Sequence, residues 1–361
     1  MKRVLFISAF PPNQKTAGQD YSRRLIDDLV SKGYQISLIY ANYPKHEVEI
    51  NEEVEIVGTI NPTIGKCIRR PQYFPLFTRR FDVNILRKIQ SMADQFDVLY
   101  FDYSQVHIYS RYIEHPKKIL MCHDIIAQKY GRKKSILLPY IKSTEEKLLS
   151  TGKVLVTFSQ KDNDILKSFY KRDAIAVNFY IKNGKYEYSQ GRINKKTFCL
   201  YGAWNRQENI EALTFFVNKI FPKLDEDILI EILGGEMRKK EHKLISMYKN
   251  IKYLGFVDNP VLEIAKNQAL IAPLHCGAGV KVKVIDALSS GTPVIGTSIA
   301  FEGIEDNKNR KLLVSAESIQ EYANLINNWK PKTVEEKQLA ADEFWSRYNM
   351  NHFADILQEI I

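Results

Sequence analysis

The stretch from Ile271 to Ile304, IAPLHCGAGVKVKVIDALSSGTPVIGTSIAFEGI, decides the fold. Ile271, Ala272 and Leu274 close an apolar run interrupted by Pro273, as a short buried strand would. Gly277 and Gly279 supply a turn that accepts positive φ and carries no side chain to hold a ligand away. Val280, Val284, Ala287 and Leu288 fall at helical spacing, which predicts a helix opening directly after the glycines. Gly291 and Pro293 stop it, and Val294-Ile295 begin the next strand. A glycine turn at a helix N-terminus presents unbonded N–H groups and the positive end of the helix dipole, which suits a phosphate. Lys281 and Lys283 add charge where a diphosphate would lie, and Asp286, deeper in the helix, could accept hydrogen bonds from ribose hydroxyls. A glycine pair before a helix is also an ordinary tight turn, so these residues alone leave both readings open.

Working outward through the second half, Thr197 to Tyr201 leads into Gly202, and Ala203-Trp204-Asn205-Arg206-Gln207-Glu208-Asn209 opens a long helix expected to reach Phe221. Ile228 to Leu233 is a buried strand ending in Gly234-Gly235, Ile251 to Val257 is the next, and Val261 to Ala269 is a short helix leading back to Ile271. Phe344 to Ile361 reads as one amphipathic helix, and the polar run Lys182 to Lys196 as an interdomain linker.

The first half repeats the plan. Val4 to Ile7 is a continuous apolar strand, a loop reaches Gly18, and a helix from about Gln19 to Lys32 stops at Gly33 before the strand Ile36 to Tyr40. Asp97 to Asp102 and Lys118 to Asp124 are later strands. His123 thus stands at the carboxyl end of a strand, where open α/β sheets bind ligands, with Asp124 beside it. Its charge state is free to change near neutrality, although a lone histidine is as often structural. Between them lies a mixed stretch, Lys66 to Phe81, rich in arginine and aromatics. It could lie on an anionic membrane or pack its rings on the core.

The chain has 361 residues and a net charge of +10, with 45% hydrophobic and 26% charged residues. That length and composition fit two globular domains, and the charge points to an anionic partner. No zinc-finger spacing, RNP-like aromatic motif or helix-turn-helix reader argues for nucleic acid. Cys67, Cys122, Cys199 and Cys276 are scattered without metal-site or disulfide spacing. No apolar run is long enough for a membrane span or a secretion signal, so a cytoplasmic protein, peripheral on the membrane's inner face if bound to it, is expected.

From Pro273 through Gly303 the chain resembles GT-B glycosyltransferases of family 4, whose corresponding segment reads PxxxGAGVKxKVxEAxxxGxPVVxTxxxxEG. The resemblance implies an α/β GT-B fold, two Rossmann-like domains facing each other across a cleft: an acceptor domain over 1–180, with 344–361 packing back on it, and a donor domain over 181–343. It implies a nucleotide-diphosphate sugar, UDP type favoured, as co-substrate with no required cofactor or metal. The acceptor would be a glycan or lipid-linked saccharide, with retention at the anomeric carbon. Donor contacts are expected from Gly202, Arg206, Gly234, Phe256, Val257, Gly277, Ala278, Gly279, Val280, Lys281, Lys283, Asp286 and Glu302. Gly18 and His123 would face the acceptor, and His123, Asp124 and Lys281 would act in catalysis. The chain departs from the better-known family pattern of two glutamates eight apart: Ala278 holds the first place and Asp286 the second. A non-catalytic GT-B subunit, a nucleotide-sugar epimerase and a phosphorylase remain as alternatives.

Overall fold

Runs such as Val4-Leu5-Phe6-Ile7 and Val98-Leu99-Tyr100-Phe101 have no polar face, so their strands must be covered on both sides, as in a parallel sheet flanked by helices. The computed structural model describes residues 2–44, 46–63, 65, 70–181, 196–304 and 312–360. The chain divides into two units, Met1–Tyr180 with Asn351–Ile361, and Ile181–Met350. Most of the expected linker, 182–195, lies outside the described residues.

Among the described residues the first unit is built on β1 (Arg3–Ser8), β2 (Gln35–Ala41), β3 (Glu55–Ile60), β4 (Val98–Asp102), β5 (Lys118–Cys122), β6 (Val154–Thr157) and β7 (Ile175–Ala176). They form one parallel sheet in the order β3-β2-β1-β4-β5-β6-β7. The order reverses between β1 and β4, and a crevice at that switch point is where such sheets take ligands. The helix Ala17–Ser31 starts where the Thr16 hydroxyl accepts from Gln19 N. It buries Tyr21, Leu25, Ile26 and Leu29 and ends before Gly33 at φ +83°.

The second unit repeats the topology with β8 (Thr197–Tyr201), β9 (Leu229–Leu233), β10 (Ile251–Gly255), β11 (Leu270–Ala272), β12 (Val294–Gly296) and β13 (Leu313–Ser315), in the order β10-β9-β8-β11-β12-β13. All the pairings are parallel, and the switch point lies between β8 and β11.

Three local expectations are corrected. The helix after the glycine loop runs Val282–Ser289, two residues later than its apolar spacing indicates, because Lys281 is held extended at φ −91°, ψ 97°. The helix expected to reach Phe221 is α-helical only over Gln207–Phe215, then widens into a π turn over Phe216–Ile220 and tightens at Phe221–Lys223. Pro222 in that last turn brings no N–H to an i−4 carbonyl. The single helix expected over 344–361 is two, Val334–Tyr348 in the second unit and Phe353–Ile360 in the first, separated by the turn at Asn349 and Met350. Phe353 is fully buried against Tyr100, at 5.1 Å between ring centroids, and Lys32 reaches Asp355 at 2.6 Å.

Of the basic and aromatic stretch 66–81, residues 66–69 lie outside the described residues. In the remainder Tyr73, Phe77 and Phe81 are core residues, Arg70 lies 3.9 Å over the Phe81 ring, and Arg80 is buried with Nε donating to the Ala9 carbonyl at 2.7 Å. These rings are held by the protein interior.

Candidate functional site

In the second unit, backbone contacts tie the loops at the carboxyl ends of β8, β9 and β10. Gly202 N donates to Leu233 O at 3.2 Å, Gly234 N to Gly255 O at 2.8 Å and Trp204 N to Gly235 O at 3.1 Å. The buried Trp204 indole adds a bond to Leu233 O at 2.9 Å. This approach requires glycine. A Cβ on Gly234, whose φ is +107°, would stand 2.0 Å from the Gly202 carbonyl oxygen.

Gly202 also makes room for two side chains. A Cβ there would lie 2.8 Å from Asn209 Nδ2 and 3.1 Å from Lys283 Nζ. Lys283 Nζ donates to Asn209 Oδ1 at 2.7 Å, and Asn209 Nδ2 donates to Ala203 O at 2.9 Å, which fixes the amide's orientation. Lys283 thus projects from the helix after the glycine loop to the first loop of the unit. Burial pushes its ammonium down to about 7; Glu208 opposes the shift, and Arg206 and Lys281 add to it. Three cationic groups are therefore close enough to repel one another, although the Lys283 side chain keeps part of its surface open.

The glycine loop adopts the conformation its residues permit, with Gly277 at φ +125° and Gly279 at φ +65°. Lys281 folds back over it, Nζ donating to Gly279 O at 2.6 Å and lying 3.9 Å from Glu302. Ala278 and Val280 lie between and beside the glycines, and Asp286 sits partly exposed on the following helix. Arg206, exposed, precedes the helix Gln207–Phe215. Phe256 is 76% exposed just beyond β10, its Cβ 3.6 Å from where a Gly235 Cβ would be, and the partly buried Val257 follows. Gly202, Lys283, Lys281 and Glu302 are thus linked to one another, Arg206 is joined to them by charge, and Gly234 is joined through backbone.

In the first unit the switch point between β1 and β4 holds a second constellation. Asp102, fully buried at the end of β4, accepts from His123 Nε2 at 2.8 Å, Ser22 Oγ at 2.6 Å and Ser8 Oγ at 3.1 Å. A buried carboxylate at that distance makes Nε2 the donor, leaving Nδ1 as the ring's other polar atom. The imidazole stacks on Tyr103 with centroids 3.6 Å apart and takes the edges of Tyr21 and Phe158. Tyr103 is held at φ +71°, a conformation costly for a bulky residue and concentrated at functional sites. Gly18 leaves room for this ring, since a Cβ there would come 2.5 Å from the Tyr103 hydroxyl. Asp124 is partly exposed, and its charge acts on buried Glu145.

Sequence reasoning therefore missed Asn209 and Asp102. Both carried a signal: Asn209 closes the tryptophan-bearing segment after Gly202, and Asp102 ends a strand on a carboxylate.

Residues 195–329 match the family described as glycosyl transferases group 1. Over 239 residues, 63% of the chain, it is 26% identical to an uncharacterised 44.6 kDa protein in the cps region of Klebsiella pneumoniae, and the match spans 57% of that protein's length. Sucrose-phosphate synthase from Thermosynechococcus elongatus superposes with a TM-score of 0.73 at 13% identity, covering 100% of this chain and 98% of that one. HepE of Anabaena, in complex with UDP and glucose, superposes with a TM-score of 0.68 at 13% identity, covering 100% and 98%. Residues 195–329 are thus similar to the group 1 glycosyl transferases, and the chain as a whole has the GT-B fold of these solved structures.

Proposed function

We propose that the protein moves a sugar from a nucleotide-diphosphate sugar, UDP type favoured, to a glycan or lipid-linked saccharide in cell-surface polysaccharide synthesis. The observation that carries this reading is the Lys283–Asn209 bond over Gly202 beside the Lys281-capped glycine loop. It gathers positive charge against bare backbone, which suits a diphosphate. HepE, of the same fold, was crystallised with UDP and glucose, and the Klebsiella relative is a protein of the cps region.

In this reading Lys281, Lys283 and Arg206 neutralise the charge that develops on the leaving diphosphate, which is electrostatic catalysis and calls for no metal. Gly234 and the segment Phe256-Val257 border the nucleoside, and Asp286 receives the ribose. The family resemblance implies retention, and since Ala278 offers no carboxylate to attack the anomeric carbon, we infer that retention proceeds by front-side displacement, with backbone of the glycine loop against the sugar. His123, oriented by Asp102, and Asp124 act on the acceptor side with Gly18. The acceptor brings the enzyme to an anionic membrane surface.

Nucleoside diphosphate release, followed over a panel of nucleotide-diphosphate sugars with and without oligosaccharide acceptors, tests the reading. Release from one UDP-sugar that is lost in Lys283→Ala supports it. The missing glutamate at Ala278 favours one second reading, a non-catalytic subunit, for which nucleotide would bind and no donor be consumed.

A further inference from the structure

The proposed reading includes a membrane partner, and the inference below rests on that part of it and gives it a surface. The stretch 66–81 is a poor one, because Tyr73, Phe77 and Phe81 are buried and Phe74 is packed partly buried against the same core. The loop between the helices Ile126–Arg132 and Leu138–Leu149 is different. Ile136 is 92% exposed, a larger fraction than any other large hydrophobic side chain among the described residues, and Leu137 beside it is 46% exposed. The pair is held out by an ordered turn. Lys134 N donates to Gly131 O, Ser135 N to Tyr130 O and Leu138 N to Ser135 O, and Lys134 adopts a left-handed φ of +49° to reverse the chain. Behind the tip, Tyr130 and Tyr140 pack edge-on against Phe74, and the Tyr140 hydroxyl donates to Pro71 O at 2.7 Å, so the tip is anchored to the body of the unit.

The charge around the tip has one sign. Between Asp124 and Glu145 the chain carries Lys129, Arg132, Lys133, Lys134 and Lys142 and no carboxylate. Lys133 and Lys134, separated from the apolar pair only by Ser135, are exposed. Leaving Ile136 in water forgoes the burial free energy of a large aliphatic side chain; what marks this tip is that two adjacent aliphatics are held out by an ordered turn beside a run of cations. A protruding aliphatic tip inside a collar of cations matches a bilayer: the tip enters the acyl boundary while the ammonium groups stay at the phosphates. A protein partner would be expected to meet a broader apolar patch with polar rim contacts of both signs.

We propose that the Lys133-Lys134-Ser135-Ile136-Leu137 turn is a membrane-docking wedge that seats the first unit on an anionic lipid surface.

Co-sedimentation of the full-length protein with vesicles of phosphatidylcholine, with and without phosphatidylglycerol, tests it. Partition into the anionic vesicles is expected to exceed that into neutral ones and to fall with added salt, since charge attraction near the surface is screened. Lys133→Ala with Lys134→Ala should lower the partition coefficient roughly thirtyfold, about fivefold for each charge. Ile136→Ser should lower it roughly tenfold through lost burial alone. Lys239→Ala with Lys243→Ala, removing the same charge from the second unit, should change it little. The wedge is overturned if the wild type stays in the supernatant of the anionic vesicles, if the tip variants sediment like the wild type, or if the second-unit pair loses binding equally. UDP titration of the same samples separates the two readings: vesicle binding without nucleotide binding overturns the donor site alone, and the reverse overturns the wedge alone.

Discussion

Lys283 is the residue whose chemistry is most exposed to test. Its ammonium is depressed to about 7 by burial, and a bound diphosphate would raise it by placing negative charge beside it. Binding then takes up a proton, so affinity is highest below pH 7 and falls as pH rises from about 7 through the bound-state value, by up to about tenfold per pH unit. Titrations of nucleotide at pH 6 and pH 8.5 should show that slope, and Lys283→Met should flatten it. On the other unit, Asp102→Asn removes the charged acceptor from His123. Transfer should drop roughly ten- to hundredfold, the rate equivalent of the ~1.5–3 kcal/mol carried by a hydrogen bond to a charged group, with nucleotide affinity unchanged. Lys281 and Lys283 could be named from the sequence because they adjoin the glycines. Asn209 and Asp102 could not be assigned roles, because the partners that define them are 74 and 21 residues away along the chain.

At the scale of elements, the parallel strands were legible as unbroken apolar runs, and Gly202 and Gly234 as following strand ends. The reason for the glycines was not, since it lies in the approach of one loop's backbone to another's. Gly234→Ala brings a Cβ against the Gly202 carbonyl at φ +107°. The left-handed penalty of about 1–2 kcal/mol and an overpacking cost of about 1–3 kcal/mol should both appear as lost stability of the second unit in denaturant titration. If the two loops relax apart instead, nucleotide affinity should fall while stability holds. Helix boundaries were read less well. The start at Val282 depends on the extended Lys281, whose ammonium is drawn back to Gly279 O, and the break between Tyr348 and Phe353 depends on which unit each helix packs against. Apolar periodicity carries neither fact.

For the molecule as a whole, the repeated β-strand order follows from the alternation of strands and helices in each half, and the right-handed crossover rule leaves few other topologies. The resemblance to group 1 glycosyl transferases followed from a single near-continuous stretch, and the matched residues 195–329 contain it. What composition could give for the anionic partner was only the sign of the charge. The structure divides that charge among Lys281, Lys283 and Arg206 near one glycine loop and the collar around Ile136 in the other unit. The measurement that reaches the central claim most directly is calorimetric titration with UDP, GDP, ADP and TDP, on the wild type and on Lys281→Ala with Lys283→Ala. The account predicts that one nucleotide, UDP, binds well and that the double variant weakens it at least about a hundredfold, since each charge-assisted contact contributes ~1.5–3 kcal/mol. Binding of none of the four at about millimolar concentration, or equal binding by the double variant, would contradict it.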